Sequence, residues 1–476
     1  MRFNYRHFAA LLSITLATLF LSPTTQSAVG EQAKDEALAL LKDLIPYRSA
    51  KGYGQIPGMI DHLVGKLKAA GFSDEDIVRV PLDIDGEAVS GLIVRYAAQG
   101  VSQQRPVAFL AHMDVVDALA ENWETKPFEP HIKEGYLYGR GTQDNKFAVA
   151  LLVTTFAKLK AEGYQPDRDL ILAFSGDEES GMRTTRKIIQ HPYVRNAEYA
   201  LNSDAGGGSM TREGKPLAFS MQAAEKVYAS FILSTHNSGG HSSAPRAENA
   251  IYDLARALLR IEELQFPVQF NEITRSMASS LAEREGGAVA EALHTLLENP
   301  SDEQAIALMK DYPQYSNMLW TTCVATMLTA GHAENALPQD AKATVNCRIL
   351  PDTGGVEHVH SVLSKAVNSN QVTIEQRGQP VESPASPIRE DVLAILQAGV
   401  AVNYPGITLQ PTMSSGGTEG REYRRAGIPT YGAGSLALVR PDDSRAHGSN
   451  ERIPLQSFYN EMDYWDYVIR RVGGGQ

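Results

Sequence analysis

Apolar residues spaced every three to four positions predict a helix over 31–44, where Ala37, Leu38, Leu41 and Leu44 share one face, and another over 56–70 that stops at Gly71. Beyond them the pattern changes. The short apolar runs 91–96, 106–111 and 169–175 read as strands, 147–162 as a helix, and 200–204 as a short strand ending at Gly206-Gly207-Gly208. Strands alternating with helices predict an α/β sheet covered by helices. The middle of the chain reads as strand 227–235, helix 248–263, a mainly helical stretch to about 318, strands 321–329 and 341–350, helix 355–367 and strand 371–375. Without the insert at 265–318 this order is β-α-β-β-α-β, one small sheet backed by two helices. The Pro- and Ser-containing stretch 378–387 then returns the chain to the first unit.

A chain of 476 residues is too long for one ordinary core, so two domains are expected. The layout is a leader at 1–28, a catalytic domain from 29–222 and 384–476, and a smaller lid or dimerisation domain at 223–383. A net charge of −12 argues against a nucleic-acid partner, which calls for a basic stripe. Arg2 and Arg6, the apolar run 8–21 and the small-residue stretch ending at Ala28 have the form of a secretory signal peptide. That run falls short of the ~20 apolar residues a membrane span needs. The expectation is therefore a secreted or periplasmic protein, with no membrane partner once the leader is cleaved. Cys323 and Cys347 are too few for a disulfide framework and lack metal-type spacing. If the strands around them form a hairpin the two could lie opposite each other, and an oxidising compartment would permit a disulfide.

Several clusters could carry chemistry. In Ala111-His112-Met113-Asp114, at a strand end, Asp114 is spaced to reach the His112 ring and fix its tautomer; an isolated pair of this kind is also what a structural hydrogen bond looks like. Gly139-Arg140-Gly141-Thr142-Gln143-Asp144-Asn145-Lys146 opens onto the 147–162 helix, where Asp144 could cap free amides or bridge cations. Three consecutive acids, Asp177-Glu178-Glu179, follow an apolar strand, an arrangement that is costly unless something positive neutralises it. Asp204, before three glycines, and His447, in Arg445-Ala446-His447-Gly448, complete a set of histidine and carboxylate candidates at strand ends or adjoining loops, where open α/β sheets bind ligands. Such a set suits Zn²⁺, and a shared carboxylate suits a pair of ions. No GxSxG elbow occurs, and Gly432-Ala433-Gly434 reads as a turn rather than a dinucleotide site.

Taken in order, these motifs resemble the two-zinc aminoacylase/carboxypeptidase family, which includes glutamate carboxypeptidase, acetylornithine deacetylase and Xaa-His dipeptidases, over nearly the whole chain after the leader. The resemblance implies a zinc-peptidase-like, mixed-sheet catalytic domain with helices on both faces, interrupted by the small lid domain with its helical insert. It implies two zinc ions per subunit held by His112, Asp144, Glu179, Asp204 and His447, with Asp144 bridging. Asp114 would support His112, and Glu178 would be the general base. His241 in Ser238-Gly239-Gly240-His241 would steady the reacting carbonyl oxygen, often from the partner of a homodimer formed through the lid. Asn335, Arg348 and Gly417 match substrate-binding positions. Asn145 and Phe147 stand where the family more often has Asp and Gly. The activity implied is hydrolysis of a peptide or amide bond next to a free carboxylate, as a carboxypeptidase or dipeptidase. N-acyl-amino-acid amidohydrolysis is the alternative on the same machinery, and a non-catalytic metal- or peptide-binding protein is a further one. The substrate would be a small peptide or an N-acyl amino acid.

Overall fold

A computed structural model of the chain describes residues 29–474; the expected leader at 1–28 lies outside them. An eight-stranded mixed sheet runs in the order Ile77–Ile84, Glu87–Tyr96, Leu170–Ser175, Val107–His112, Tyr199–Met210, Thr430–Val439, Pro216–Glu225 and Leu409–Ser414. Its centre is parallel, from Leu170–Ser175 through Thr430–Val439. Strand residues alternate between two apolar layers. Val107, Phe109 and Ala111 pack with the helices Glu31–Leu44, Ile56–Ala69, Lys146–Ala161 and Leu455–Gly473. Ala108 and Leu110 pack on the other side with Ile188 and Tyr423, from the helices Arg183–Ile189 and Gly420–Arg425. Parallel strands covered on both faces must be apolar on both, and Val107–His112 and Leu170–Ser175 are buried throughout.

The second sheet has four antiparallel strands in the order Thr322–Ala330, Asp340–Ile349, Val227–His236 and Val372–Arg377, backed by the helices Ala250–Glu262 and Gly355–Val367. Cys323 and Cys347 pair across it and form a disulfide. The insert forms the helices Glu272–Glu285, Gly287–Glu298 and Glu303–Lys310. The first of them packs on the edge strand Leu409–Ser414 of the large sheet, with Ser280 Oγ donating to Gln410 Oε1 at 2.8 Å. Covering an edge strand removes a row of exposed backbone groups.

Two further differences position the site. The strand expected to end before Gly206-Gly207-Gly208 runs on to Met210, because Gly206 and Gly208 pair with Gly434 and Ala437. A small sheet, Arg452–Pro454, Tyr136–Tyr138 and His131–Lys133, also brings the segment after His447 beside the segment before Asp144. Among the described residues no helix is long and apolar enough to cross a membrane.

Candidate metal centre and active site

His112 ends a fully buried strand, so its ring enters the molecule at the carboxyl edge of the large sheet. Its Nε2 lies 2.8 Å from Asp144 Oδ1 and 3.5 Å from Asp204 Oδ1. The other oxygen of Asp144, Oδ2, lies 2.9 Å from His447 Nε2, which is 2.8 Å from Glu179 Oε1. Two donor triads result, His112–Asp144–Asp204 and Asp144–Glu179–His447, each with its ligand atoms within 4.8 Å of one another and both sharing Asp144. Glu178 joins a third such group with His112 and Glu179.

Asp114 makes more than one contact at the site. The chain leaves the strand after His112, so it is the Asp114 carbonyl that approaches His112 Nδ1, at 3.0 Å, while the carboxylate stands at 3.5 Å. That carboxylate accepts the backbone N–H groups of Glu178 and Glu179, each at 3.0 Å. It therefore orients the acid pair as much as the histidine. The three consecutive acids divide their roles: Asp177 accepts from Arg183 N–H and Thr184 N–H at 2.7 and 2.8 Å, capping the next helix, and leaves Glu178 and Glu179 to face the cluster.

Glu451 has no counterpart in the sequence reading. It is wholly buried, accepts the backbone N–H groups of Gly141, Gln143 and Asp144, and pairs with the buried Arg140 at 2.7 Å. Arg140 Nη2 donates in turn to the carbonyls of His447 and Gly448, at 3.3 and 3.2 Å. This holds His447 in a left-handed conformation, φ 62°. Arg140 lies in the glycine-bearing loop before Asp144 and Glu451 just after the His447 segment, but nothing local marks a contact between segments some three hundred positions apart.

Charge is concentrated here. Burial pushes Glu178 well above the usual carboxylate range, with Asp204, Asp114 and Glu179 adding to it. Burial and Asp144 push Asp204 up to about 6. His112 and His447 overcome burial to hold Asp144 well below the usual range, and hydrogen bonds to Asp144 and Glu179 raise His447 to about 10. Carboxylates kept close at this cost are the donor set of a cation site, since bound metal reverses the repulsion. Hard oxygen and imidazole donors with one bridging carboxylate suit two divalent ions.

The remaining candidates fall into two groups. Arg348 Nη1 donates to the Ser415 carbonyl at 3.0 Å, which places it by the Gly416-Gly417 loop. Gly417 packs against Arg421, whose guanidinium forms no ion pair among the described residues. His241 and Asn335 sit together on the smaller unit: Gly240–His241 pairs with Ala336–Leu337, and Ser242 N–H donates to the Asn335 carbonyl. His241 is exposed, and its Nδ1 is 2.7 Å from Ser243 Oγ; none of its hydrogen bonds is to the ligand cluster.

Comparison with known proteins agrees with this geometry. The model of peptidase family M20/M25/M40 matches residues 108–471. The N-fatty-acyl-amino acid synthase/hydrolase of Mus musculus is 29% identical over 76% of this chain and 73% of its own. A probable carboxypeptidase S-like protein of Dictyostelium discoideum is 27% identical over 77% and 72%. In fold, an M20 family metallo-carboxypeptidase from Sulfolobus solfataricus superposes with TM-score 0.65 at 17% identity, covering 92% of this chain and 99% of that one. The Saccharomyces cerevisiae di-peptidase Dug1p gives 0.63 at 17%, covering 93% and 97%. With its mixed sheet, its second smaller sheet and its shared-aspartate donor cluster, the chain belongs to peptidase family M20/M25/M40 and is a metal-dependent peptidase or amidohydrolase.

Proposed function

We propose that this protein hydrolyses a peptide or amide bond next to a free carboxylate, with two zinc ions, one held by His112, Asp144 and Asp204 and the other by Asp144, Glu179 and His447. The observation that carries this is the pair of donor triads sharing Asp144. The chemistry supplied by the bound pair is Lewis-acid polarisation of the scissile carbonyl and acidification of a water. Glu178, gripped through its N–H by Asp114, takes the proton of the attacking water and returns it to the leaving nitrogen. Arg348, beside the Gly417 loop, receives the substrate carboxylate, for which a planar guanidinium is suited, while Asn335 binds substrate from the side that carries His241. Glu178→Gln is expected to keep its metal and lose about 10²–10⁴ in turnover. Near-normal turnover with full metal content would overturn the assignment of the base.

One finding favours amide substrates that are not peptides as a second reading, and the donor cluster itself is neutral. The N-fatty-acyl-amino acid synthase/hydrolases stand among the relatives, and nothing in the donor cluster distinguishes an acyl from an aminoacyl carbonyl. A mixed panel of dipeptides and N-acyl amino acids separates the two.

His241 steadies the oxyanion from a second copy of the chain, a role supported by its exposure and by the apolar surface of its own unit. Val324, Met327 and Leu328 are about 60% exposed on the edge strand Thr322–Ala330, as is Tyr252 on the neighbouring helix. Export is supported by the leader at 1–28 and by the disulfide, which an oxidising compartment favours. Amino-terminal sequencing of the exported protein checks it, a start near Val29 being expected and an intact Met1 ruling it out.

A further inference from the structure

Glu225 is a buried carboxylate that the ligand cluster does not use. It ends the strand Pro216–Glu225 of the large sheet, and only Lys226 separates it from Val227–His236, the first strand of the smaller sheet. The chain therefore crosses from one unit to the other within a single residue. Glu225 is 3% exposed and takes four donors. These are the Thr418 N–H at 3.0 Å, the Thr418 hydroxyl at 2.8 Å, Gln222 Nε2 at 3.1 Å and, as an ion pair, Arg424 Nη2 at 2.7 Å. A buried charge is retained where it is paired and hydrogen-bonded in this way.

Two halves of the proposed carboxylate site meet at this crossing. The loop Gly416-Gly417-Thr418 belongs to the large unit, and Glu225 fixes it through both donors of Thr418. A Cβ at Gly417 would stand 3.5 Å from Glu225 Oε2, so the carboxylate lies against that glycine. Arg348 comes from the smaller unit. It pairs across the sheet with Tyr228, three residues after Glu225, and its guanidinium lies 4.7 Å from the centre of that ring. Lys226 ties the two units together: its N–H donates to the Ser414 carbonyl at 2.9 Å, and its buried ammonium to the Trp320 carbonyl at 2.8 Å. Arg348 Nη1 donates to the next carbonyl, that of Ser415, at 3.0 Å. The Thr418 hydroxyl also accepts from Asn202 Nδ2 at 3.2 Å, and Asn202 Oδ1 accepts the N–H of Asp204 at 3.0 Å.

We infer that Glu225 is a positioning residue, which sets the Gly417 loop against Arg348 so that both reach one substrate carboxylate. The inference rests on the hydrolase reading above, with Arg348 as the receiver of that carboxylate. Glu225 touches no substrate in this role and acts through Thr418. Placement matters here because a displacement of about 1 Å in a clamp of this kind costs up to about 100-fold.

The test uses zinc-loaded enzyme with a dipeptide and an N-acyl amino acid, each assayed beside its own carboxamide. The members of a pair differ only in the group that Arg348 receives, and their kcat/KM ratio on one preparation is independent of the fraction folded. The wild type is expected to prefer the carboxylate, and Arg348→Ala to abolish most of that preference. Glu225→Gln keeps the shape and removes the charge, while Thr418→Val removes the hydroxyl at little change in volume. Each is expected to lower the preference about tenfold, the value of one hydrogen bond to a charged group, through KM for the carboxylate rather than through kcat. Thr418→Ser restores the hydroxyl and is expected to restore the ratio. If Arg348→Ala collapses the preference while Glu225→Gln and Thr418→Val keep it, Glu225 is structural support alone: the inference falls and the hydrolase reading stands. A wild type that hydrolyses neither member of a pair, or both equally, overturns the hydrolase reading and the inference with it.

Discussion

Glu461 shows what one buried acid does to this fold. On the helix Leu455–Gly473 it is wholly buried, accepting the N–H of Ser435 at 2.9 Å and its hydroxyl at 2.5 Å. Burial raises it from 4.5 to about 7. Between those values the folded chain retains a proton that the unfolded chain has lost. Stability from this group is therefore greatest below pH 4.5 and falls as pH rises to about 7, by on the order of 1–3 kcal/mol. Glu461→Gln removes the titration, so urea midpoints at pH 4.5 and 7 should lie closer together in the variant than in the wild type; an equal spacing would show that the carboxyl does not titrate in that window. Glu178 and Asp204 are raised in the same direction, but for them a bound cation supplies the missing counter-charge.

Between elements, the decisive contact is the one that ties the loop 139–145 to the loop 445–451. The small sheet aligns Tyr138 with Arg452, and from there Glu451 gathers the amides around Asp144 while Arg140 holds the carbonyls around His447. Glu451→Ala would leave Arg140 buried without its counter-charge, a loss of about 3–5 kcal/mol. The same change frees both loops, and metal affinity is expected to fall about 10–100-fold. Chemical denaturation and competition with a chelator measure the two effects, and an unchanged chelator midpoint would remove Glu451 from any role in holding the ligands. The helices over Glu31–Leu44 and Ile56–Ala69 were legible because each needs only its own apolar face. The strand through Gly206–Gly208 was not, because glycines carry no periodic signal and are strand here only through their partner.

Across the whole molecule, the exposed strand Thr322–Ala330 and the exposed His241 belong to one unit, and both find a use if two chains associate through it. Sedimentation velocity is expected to show a dimer that Val324→Glu with Leu328→Glu converts to monomer. A monomer at every concentration in the unmutated protein would sink the dimer and with it the assignment of His241 to a partner's site. The disulfide between Cys323 and Cys347 fastens this edge strand to its neighbour, and closing a loop between residues 24 apart stabilises by roughly 3 kcal/mol in a chain-entropy account.

By itself the sequence determined the α/β class, the alternation of elements, the ligand candidates His112, Asp144, Glu179, Asp204 and His447, and the candidate base Glu178, because each lies within a local pattern of burial or charge. Only the tertiary structure decided that Asp144 turns one oxygen to each histidine, that Asp114 grips the amides of Glu178 and Glu179, and that Glu451 joins loops some three hundred positions apart. Local patterning reports the face a segment buries. Which distant segment it is buried against is settled by packing and backbone pairing of the whole, and the donor cluster exists only at that level.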